Sequence, residues 1–99
     1  MHDIFKKSNN RHRENGPACI KYYLTGEILQ EIYYINGNRD NNNSPSFIQY
    51  YPGGRIWFKK YYKNNRLHRE GGPALVEYFE DGSIYYEEHY KDGVNLALL

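Results

Sequence analysis

The sequence has almost no cysteine and almost no net charge. It contains one cysteine, Cys19, in 99 residues, so an intrachain disulfide is excluded and the fold must rest on packing and hydrogen bonds. Such a chain suits a reducing compartment, and we expect a cytoplasmic location. Its 13 basic and 12 acidic residues leave a net charge of +1. Nucleic acid is therefore an unfavoured partner, because phosphate binding needs clustered positive charge.

Long apolar stretches are absent as well. No run reaches the roughly 18 apolar residues of a membrane-spanning helix, and the first ten residues lack the apolar core of a signal peptide. Hydrophobic residues make up only 39% of the chain, a low value for a folded domain. Aromatic residues nevertheless reach 17%, with 12 tyrosines, and rings bury large areas. We therefore predict a folded chain.

The dominant pattern is an internal repeat of 28 residues. Three copies align without a gap at residues 11–38, 39–66 and 67–94. Residues 1–10 look like the end of a preceding copy, with Ile4 aligned to Lys60, and residues 95–99 form a tail. We treat residues 1–99 as one repeat domain, because repeats of this length bury their apolar faces against each other. The positions at which all copies agree include Pro17, Pro45 and Pro73; Tyr22, Tyr50 and Tyr78; Gly26, Gly54 and Gly82; Ile28, Ile56 and Ile84; and Tyr34, Tyr62 and Tyr90.

Each copy has the pattern of one β-hairpin. A strand of about six residues, 18–23, leads into Leu24-Thr25-Gly26, and a second of about eight, 28–35, ends at Asn36-Gly37. In the second copy, Tyr51-Pro52-Gly53-Gly54 predicts a type I turn followed by a left-handed glycine, which closes a three-residue hairpin loop. The predicted fold is all-β: an elongated single-layer antiparallel β-meander of three hairpin repeats plus a half repeat.

The predicted turn decides which side chains share a face of the sheet. It puts Ile20 and Tyr22 beside Ile28 and Tyr34, where the copies agree, and we interpret this as the packed face. The opposite face varies between copies, carries aromatic rings, and is expected to include Glu31, Lys59 and Glu87. We predict that its exposed rings bind a partner, although rings paired across strands also stabilise a sheet. The candidate partner-binding residues are Tyr23, Tyr33, Tyr51, Trp57, Tyr61 and Tyr85.

Four segments carry a recurring motif: His12-Arg13-Glu14-Asn15-Gly16-Pro17-Ala18, His68-Arg69-Glu70-Gly71-Gly72-Pro73-Ala74, Glu77-Tyr78-Phe79-Glu80-Asp81-Gly82 and Tyr90-Lys91-Asp92-Gly93. This motif resembles a variant of the MORN repeat, of the form found in giant DNA viruses and in some bacterial antitoxin-like proteins. The resemblance covers residues 11–93 and implies a scaffold or adaptor that binds proteins or membrane lipid; a viral origin would place it in the host cytoplasm. The middle copy departs from the pattern with Asp40-Asn41-Asn42.

The His-Arg-Glu triplets are the most enzyme-like residues, yet no nucleophile or metal-ligand set accompanies them. We interpret them as turn-building residues between hairpins, and we predict no catalytic residue, no cofactor and no enzyme activity. His12 and His68 are two copies apart, about 19 Å in a flat sheet, too far to share a metal ion, so we predict no metal site. Cys19 aligns with Phe47 and Leu75 and reads as a small hydrophobic residue.

These observations favour a non-catalytic interaction scaffold or adaptor that uses one face of its sheet. Two alternatives stay open. One is a structural protein that forms homo-oligomers through open sheet edges, which invite strand pairing. The other, implied by the resemblance alone, is an adaptor for membrane lipid.

Overall fold

The computed structural model describes the backbone of residues 3–7 and 17–98. Its regular structure is β apart from one short 3₁₀ turn, Leu96–Leu98. The strands are β1 (Asp3–Lys7), β2 (Cys19–Tyr23), β3 (Ile28–Ile32), β4 (Tyr34–Ile35), β5 (Asn38–Arg39), β6 (Phe47–Tyr50), β7 (Ile56–Lys60), β8 (Tyr62–Lys63), β9 (Arg66–Leu67), β10 (Leu75–Tyr78), β11 (Ile84–Glu88), β12 (Tyr90–Lys91) and β13 (Val94–Asn95).

Seven of these strands form one antiparallel sheet in the order β1-β2-β3-β6-β7-β10-β11. The remaining strands form three small ladders, β4 with β5, β8 with β9 and β12 with β13. The protein is a slab with principal extents of 43 × 34 × 19 Å. The predicted all-β meander is confirmed. Among the described residues there is no helix long and apolar enough to cross a membrane.

The long hairpins close with the predicted turn. Tyr23 donates its N–H to the Glu27 carbonyl at 2.8 Å, and Gly26 donates to the Tyr23 carbonyl at 2.9 Å. Gly26 has a φ of +92°, which a residue without Cβ adopts at little cost. The same two bonds recur 28 and 56 residues later, so the three-residue loop is confirmed in every copy.

A β-bulge follows each loop and changes the faces of the second strand. Tyr22 lies opposite Ile28 as predicted, but Lys21 then lies opposite Gln30, so Leu29 is the extra residue. Beyond the bulge the side chains exchange faces, and Ile20 is paired with Glu31. The expected placement of Glu31, Lys59 and Glu87 on the variable face is therefore wrong. The equivalent bulges fall at Trp57 and Tyr85.

The predicted eight-residue second strand is wrong in length. It stops at Ile32, and Tyr34–Ile35 pair instead with Asn38–Arg39 across a two-residue turn. That turn, Asn36-Gly37, has φ values of +50° and +83°, the signature of a type I′ hairpin that needs its own partner strand. Tyr34 therefore lies in a small ladder and not on the packed face of the sheet.

The half repeat is present as β1, but its predicted alignment is wrong by three residues. Lys7 lies opposite Cys19, just as Lys60 lies opposite Leu75. Lys7 and not Ile4 thus occupies the place of Lys60. Main-chain pairing sets this register, and a few similar side chains in a short segment are too weak a signal to reveal it.

The core lies where the sheet meets the small ladders. Ala18, Ser46 and Ala74 occupy the same position in successive copies, and all three are buried. Each donates its main-chain N–H to the last residue of the second long strand of its own copy, at Ile32, Lys60 and Glu88. The other buried residues are Tyr23, Tyr61, His68 and Val76.

Candidate partner-binding face

One face of the seven-stranded sheet collects most of the ring–ring contacts. We define it as the aromatic face, formed by Phe47, Tyr51, Trp57, Phe58, Phe79 and Tyr85. Trp57 occupies a bulge position, and its ring stacks on Tyr51 with centroids 4.9 Å apart and planes 9° apart. In the next copy Tyr85 contacts Phe79 edge-on at the same 4.9 Å. The bulge residues therefore lean onto the same face as the rings of the preceding strands.

The rings of the middle copy form one connected cluster. Phe47 stacks on Phe58 at 5.7 Å, and Trp57 meets Phe58 edge-on at 6.2 Å. The Lys60 ammonium lies 5.7 and 5.4 Å from the centroids of Phe47 and Phe58, within reach of a cation–π attraction. These residues are half-buried. Cross-strand ring pairs thus stabilise the sheet here and still present one surface to solvent.

The rings of the last copy are much more exposed. Phe79, Tyr85 and Tyr86 are 49%, 60% and 44% exposed. The cause is that no strand of the described chain lies beyond β11. Exposed rings close to one another mark an interaction surface more often than isolated ones do.

A shallow groove separates the two ring clusters. It has a volume of about 240 Å³ and is lined by Trp57, Phe58, Lys60, Leu75 and Glu77. Its apolar floor would accept a flat or branched side chain, while Lys60 and Glu77 offer charges of opposite sign. This chemistry suits a protein surface, with apolar anchors and a polar rim.

Two of the six predicted partner-binding residues are buried, and their predicted exposure is wrong. Tyr23 is 6% exposed because it packs against the next copy, where its hydroxyl donates to the Tyr50 carbonyl at 2.8 Å. Tyr61 is 4% exposed and is covered by the Arg69 guanidinium, 4.1 Å from the ring centroid. Tyr33 lies between β3 and β4. The structure brings only the other three, Tyr51, Trp57 and Tyr85, onto the aromatic face.

The predicted partner-binding residues do not include Phe47, Phe58 and Phe79, although alternation along the first strand already places Phe47 on the variable face. Phe58 follows the bulge, so simple alternation assigns it to the wrong side. For Phe79 the sequence does carry a signal. It occupies the position of Tyr23 and Tyr51 but lacks the hydroxyl with which Tyr51 donates to Tyr78.

On the opposite face of the sheet, the tyrosine rings contact charged side chains of a neighbouring copy. Tyr50 donates its hydroxyl to the Glu31 carboxylate, and the Lys59 ammonium lies 5.6 Å from the centroid of the Tyr78 ring. Burial, followed by the hydrogen bond to Glu31, raises the pKa of Tyr50 above its ordinary value. Both contacts join one copy to the next, so these rings hold the repeats together.

The side chains of the His-Arg-Glu triplet in the third copy form hydrogen bonds that close the link between the second and third copies. The buried His68 accepts the Asp92 N–H at Nδ1 (2.9 Å) and lies 2.5 Å from Glu70 through Nε2. The hydrogen bond from His68, and then the charge of Lys91, hold the pKa of Glu70 below its ordinary value. Arg69 donates to the Pro73 carbonyl at 3.1 Å. These contacts agree with a turn-building role, and His12-Arg13-Glu14 lies outside the described residues.

The described residues contain no cluster of three or more His, Cys, Asp or Glu side chains able to hold a metal ion. No protein-family model, curated protein or solved structure matches this chain. The similarity to MORN repeats therefore stays a prediction that depends on the motif residues alone.

Proposed function

We propose that this chain is a non-catalytic protein-interaction module that binds its partner with the aromatic face. The observation that carries the proposal is the stacked Tyr51–Trp57 pair beside a groove, with Tyr85 exposed at the far side of the same face. As in the MORN proteins that the repeat resembles, the module would serve as a scaffold or adaptor.

The energetics of such a surface favour protein recognition. The rings are already held by their neighbours, so little side-chain entropy is lost when a partner covers them. Tyr and Trp also dominate the binding energy of protein interfaces, because each combines a large apolar area with a polar tip. Tyr85 is the expected anchor, since most of its ring area is still available for burial.

Residue-specific photo-cross-linking from the native cell extract tests the proposal. A benzophenone amino acid replaces Tyr85 in one variant and Leu24 in the other. Both side chains are 60% exposed, but Leu24 belongs to a hairpin turn of the first copy. We expect one discrete cross-linked partner from position 85 and none from position 24. Equal cross-linking from both positions would contradict a specific aromatic face.

The captured partner then allows a quantitative measurement. Trp57 is the only tryptophan, so its fluorescence reports binding at the face directly. Tyr85→Ala should weaken binding about thirtyfold, the effect of losing an interface anchor, while Leu24→Ala should leave the affinity unchanged. Equal affinities for the two variants, with both folded, would refute the proposal.

A further inference from the structure

The outer edge of β11 presents unpaired main-chain groups. Ala74 donates its N–H to the Glu88 carbonyl at 2.8 Å, so the main chain of Glu88 points towards β10. Successive residues of a strand point their N–H and C=O groups in opposite directions, so those of Glu87 point outwards. The tail satisfies the next outward carbonyl, that of His89, through the Leu96 N–H at 2.9 Å. No strand of the described chain pairs with the remaining edge.

Two interfaces inside the sheet show what kind of strand pairs with such an edge. The equivalent strands β3 and β7 are each followed by an antiparallel strand, β6 and β10. The incoming strands have the sequences Phe47-Ile48-Gln49-Tyr50 and Leu75-Val76-Glu77-Tyr78, a common pattern of apolar, β-branched, polar and Tyr. Their β-branched residues lie opposite Glu31 and Lys59, the positions that correspond to Glu87.

The side chain of Glu87 favours tyrosine as the last residue of this pattern, because it can accept a hydrogen bond from the tyrosine hydroxyl. Glu31, at the same position two copies earlier, accepts the hydroxyl hydrogen of Tyr50 from the incoming strand. Glu87 is exposed and carries the same carboxylate. A tyrosine of an added strand would therefore find its acceptor in place at β11.

From these observations we propose that the outer edge of β11 binds an extended segment of a partner protein as an added antiparallel strand. The segment has the pattern apolar, Ile or Val, polar, Tyr, and pairs its β-branched residue with Glu87. Main-chain hydrogen bonds supply affinity, and the side chains supply selectivity, as in other cases of strand addition. This site is separate from the aromatic face, and it does not require that the face bind anything.

Two changes in the last copy make the added strand exchangeable. Tyr51 donates its hydroxyl to the following hairpin, whereas its counterpart Phe79 has no hydroxyl. Arg55 reaches the Asp81 carbonyl of the following turn, whereas its counterpart Ser83 donates to Asp81 within its own turn. The edge therefore keeps its main-chain groups and Glu87 but lacks the side-chain clamps that join the interior copies permanently.

A second molecule of this protein fits the edge less well. The strands of this chain that have the incoming pattern, β2, β6 and β10, already have a neighbouring strand on both sides. Pairing of β11 with β11 of a second copy would gather Glu87 and Glu88 of both chains at one edge, where like charges repel. A separate extended segment avoids both obstacles.

The test is the binding of a labelled peptide with the sequence of residues 45–52, PSFIQYYP, to the full chain. We expect saturable binding and shifts of the main-chain amide signals confined to Ile84–Glu88. In the protein, Glu87→Pro removes an outward N–H without touching the pairing with β10, and should weaken binding at least about tenfold. Glu87→Ala keeps that N–H and loses only the acceptor of the peptide tyrosine, so it should weaken binding several-fold and by less than Glu87→Pro.

Two peptide controls keep the test independent of how well the variants fold. Replacement of Ile48 by Pro in the peptide removes the matching N–H and should abolish binding. Replacement of Tyr50 by Phe should weaken it several-fold against the native chain and leave it unchanged against Glu87→Ala. Absence of amide shifts in β11 at millimolar peptide would overturn the proposal. Equal binding of the Pro peptide, or an edge already occupied by self-association that Glu87→Pro abolishes, would also overturn it.

Discussion

The second and third links between copies build the same turn from different residues. The second link is residues 40–46 (Asp-Asn-Asn-Asn-Ser-Pro-Ser), and the third is residues 68–74 (His-Arg-Glu-Gly-Gly-Pro-Ala). Asp40 accepts the Asn64 N–H at 3.3 Å, and His68, at the same position, accepts the Asp92 N–H at 2.9 Å. Each bond holds a residue with positive φ at the tip of the adjacent small hairpin.

The second position of each link shows the same equivalence. Asn41 donates its amide to the Pro45 carbonyl at 2.9 Å, and Arg69 donates its guanidinium to the Pro73 carbonyl at 3.1 Å. The longer Arg69 also covers Tyr61, and its guanidinium lies 2.9 Å from the place where a Cβ on Gly72 would be. The two links thus share hydrogen-bond geometry and differ in how much surface they bury.

The two links are also joined by hydrogen bonds to each other. Glu70 donates its main-chain N–H to the Asn43 side-chain oxygen at 2.9 Å, and the Asn43 amide donates to the Glu70 carbonyl at 3.3 Å. The comparison teaches that His-Arg-Glu and Asp-Asn-Asn are alternative ways to satisfy the same main-chain groups. The absence of the triplet from the middle copy therefore costs the fold little.

The largest expected effect comes from His68. Its replacement by Ala removes the acceptor of the Asp92 N–H and leaves a cavity in place of the buried imidazole, and should lower the free energy of unfolding by about 2–3 kcal/mol. Urea unfolding at pH 7 measures the change. His68→Asn supplies a neutral carbonyl acceptor and should cost less than half as much. His68→Asp should be less stable than His68→Asn, because the Asp92 carboxylate lies 3.4 Å from Nδ1. Equal costs for Ala and Asn would show that the hydrogen bond is not what His68 contributes.

A smaller effect is expected at the buried end of each link. The Ser46 hydroxyl is fully buried and accepts the Tyr62 N–H at 2.9 Å. Ser46→Ala should cost about 1–2 kcal/mol of unfolding free energy, because that N–H then lacks a partner. The reciprocal change, Ala74→Ser in the third link, is the matched control and should cost less than half as much. If Ala74→Ser proves the more damaging, the two sites are not equivalent.

The smallest effect concerns the charge of Glu70 in the third link, where the second link has the neutral Asn42. The hydrogen bond from His68 and the charge of Lys91 hold the pKa of Glu70 below its ordinary value of 4.5. The ionised carboxylate therefore stabilises the fold above that value, and the contribution is lost as the pH falls through the lowered pKa of the folded state. The stability difference between the native chain and Glu70→Gln should be constant from pH 7 to about 5 and shrink below pH 4.5.

Thermal unfolding across this pH range measures the difference. Asn42→Ser, at the corresponding position of the second link, changes no charge and should give a difference that does not depend on pH. A pH-dependent loss of the same size in both variants would assign the effect to groups other than Glu70.

Much of the fold is predictable from local residues. Gly26 and its counterparts predict the long hairpin loop, and Asn36-Gly37 predicts a tight turn, because both require positive φ. The bulge at Leu29, Trp57 and Tyr85 is different, since these residues look like any others in a strand. One extra residue there reverses the rest of the strand, which is why alternation assigns Glu31 and Phe58 to the wrong faces.

The candidate site is less predictable than the fold. The aromatic stripe is visible in the sequence, but Tyr23 and Tyr85 look equally available there. The structure leaves Tyr85 exposed and buries Tyr23, whereas Phe79, the counterpart of Tyr23 in the third copy, is exposed because no strand of the described chain lies beyond β11. Exposure of a repeated residue depends on its place in the array as much as on its type.

The sequence by itself determined the period of 28 residues, the hairpins and their turns, because these depend on residues close together in the chain. Only the tertiary structure decided which rings form the aromatic face, which tyrosines join successive copies, and which main-chain group His68 accepts a hydrogen bond from. Those outcomes depend on groups about 24 to 28 residues apart, which meet only when one copy packs against the next.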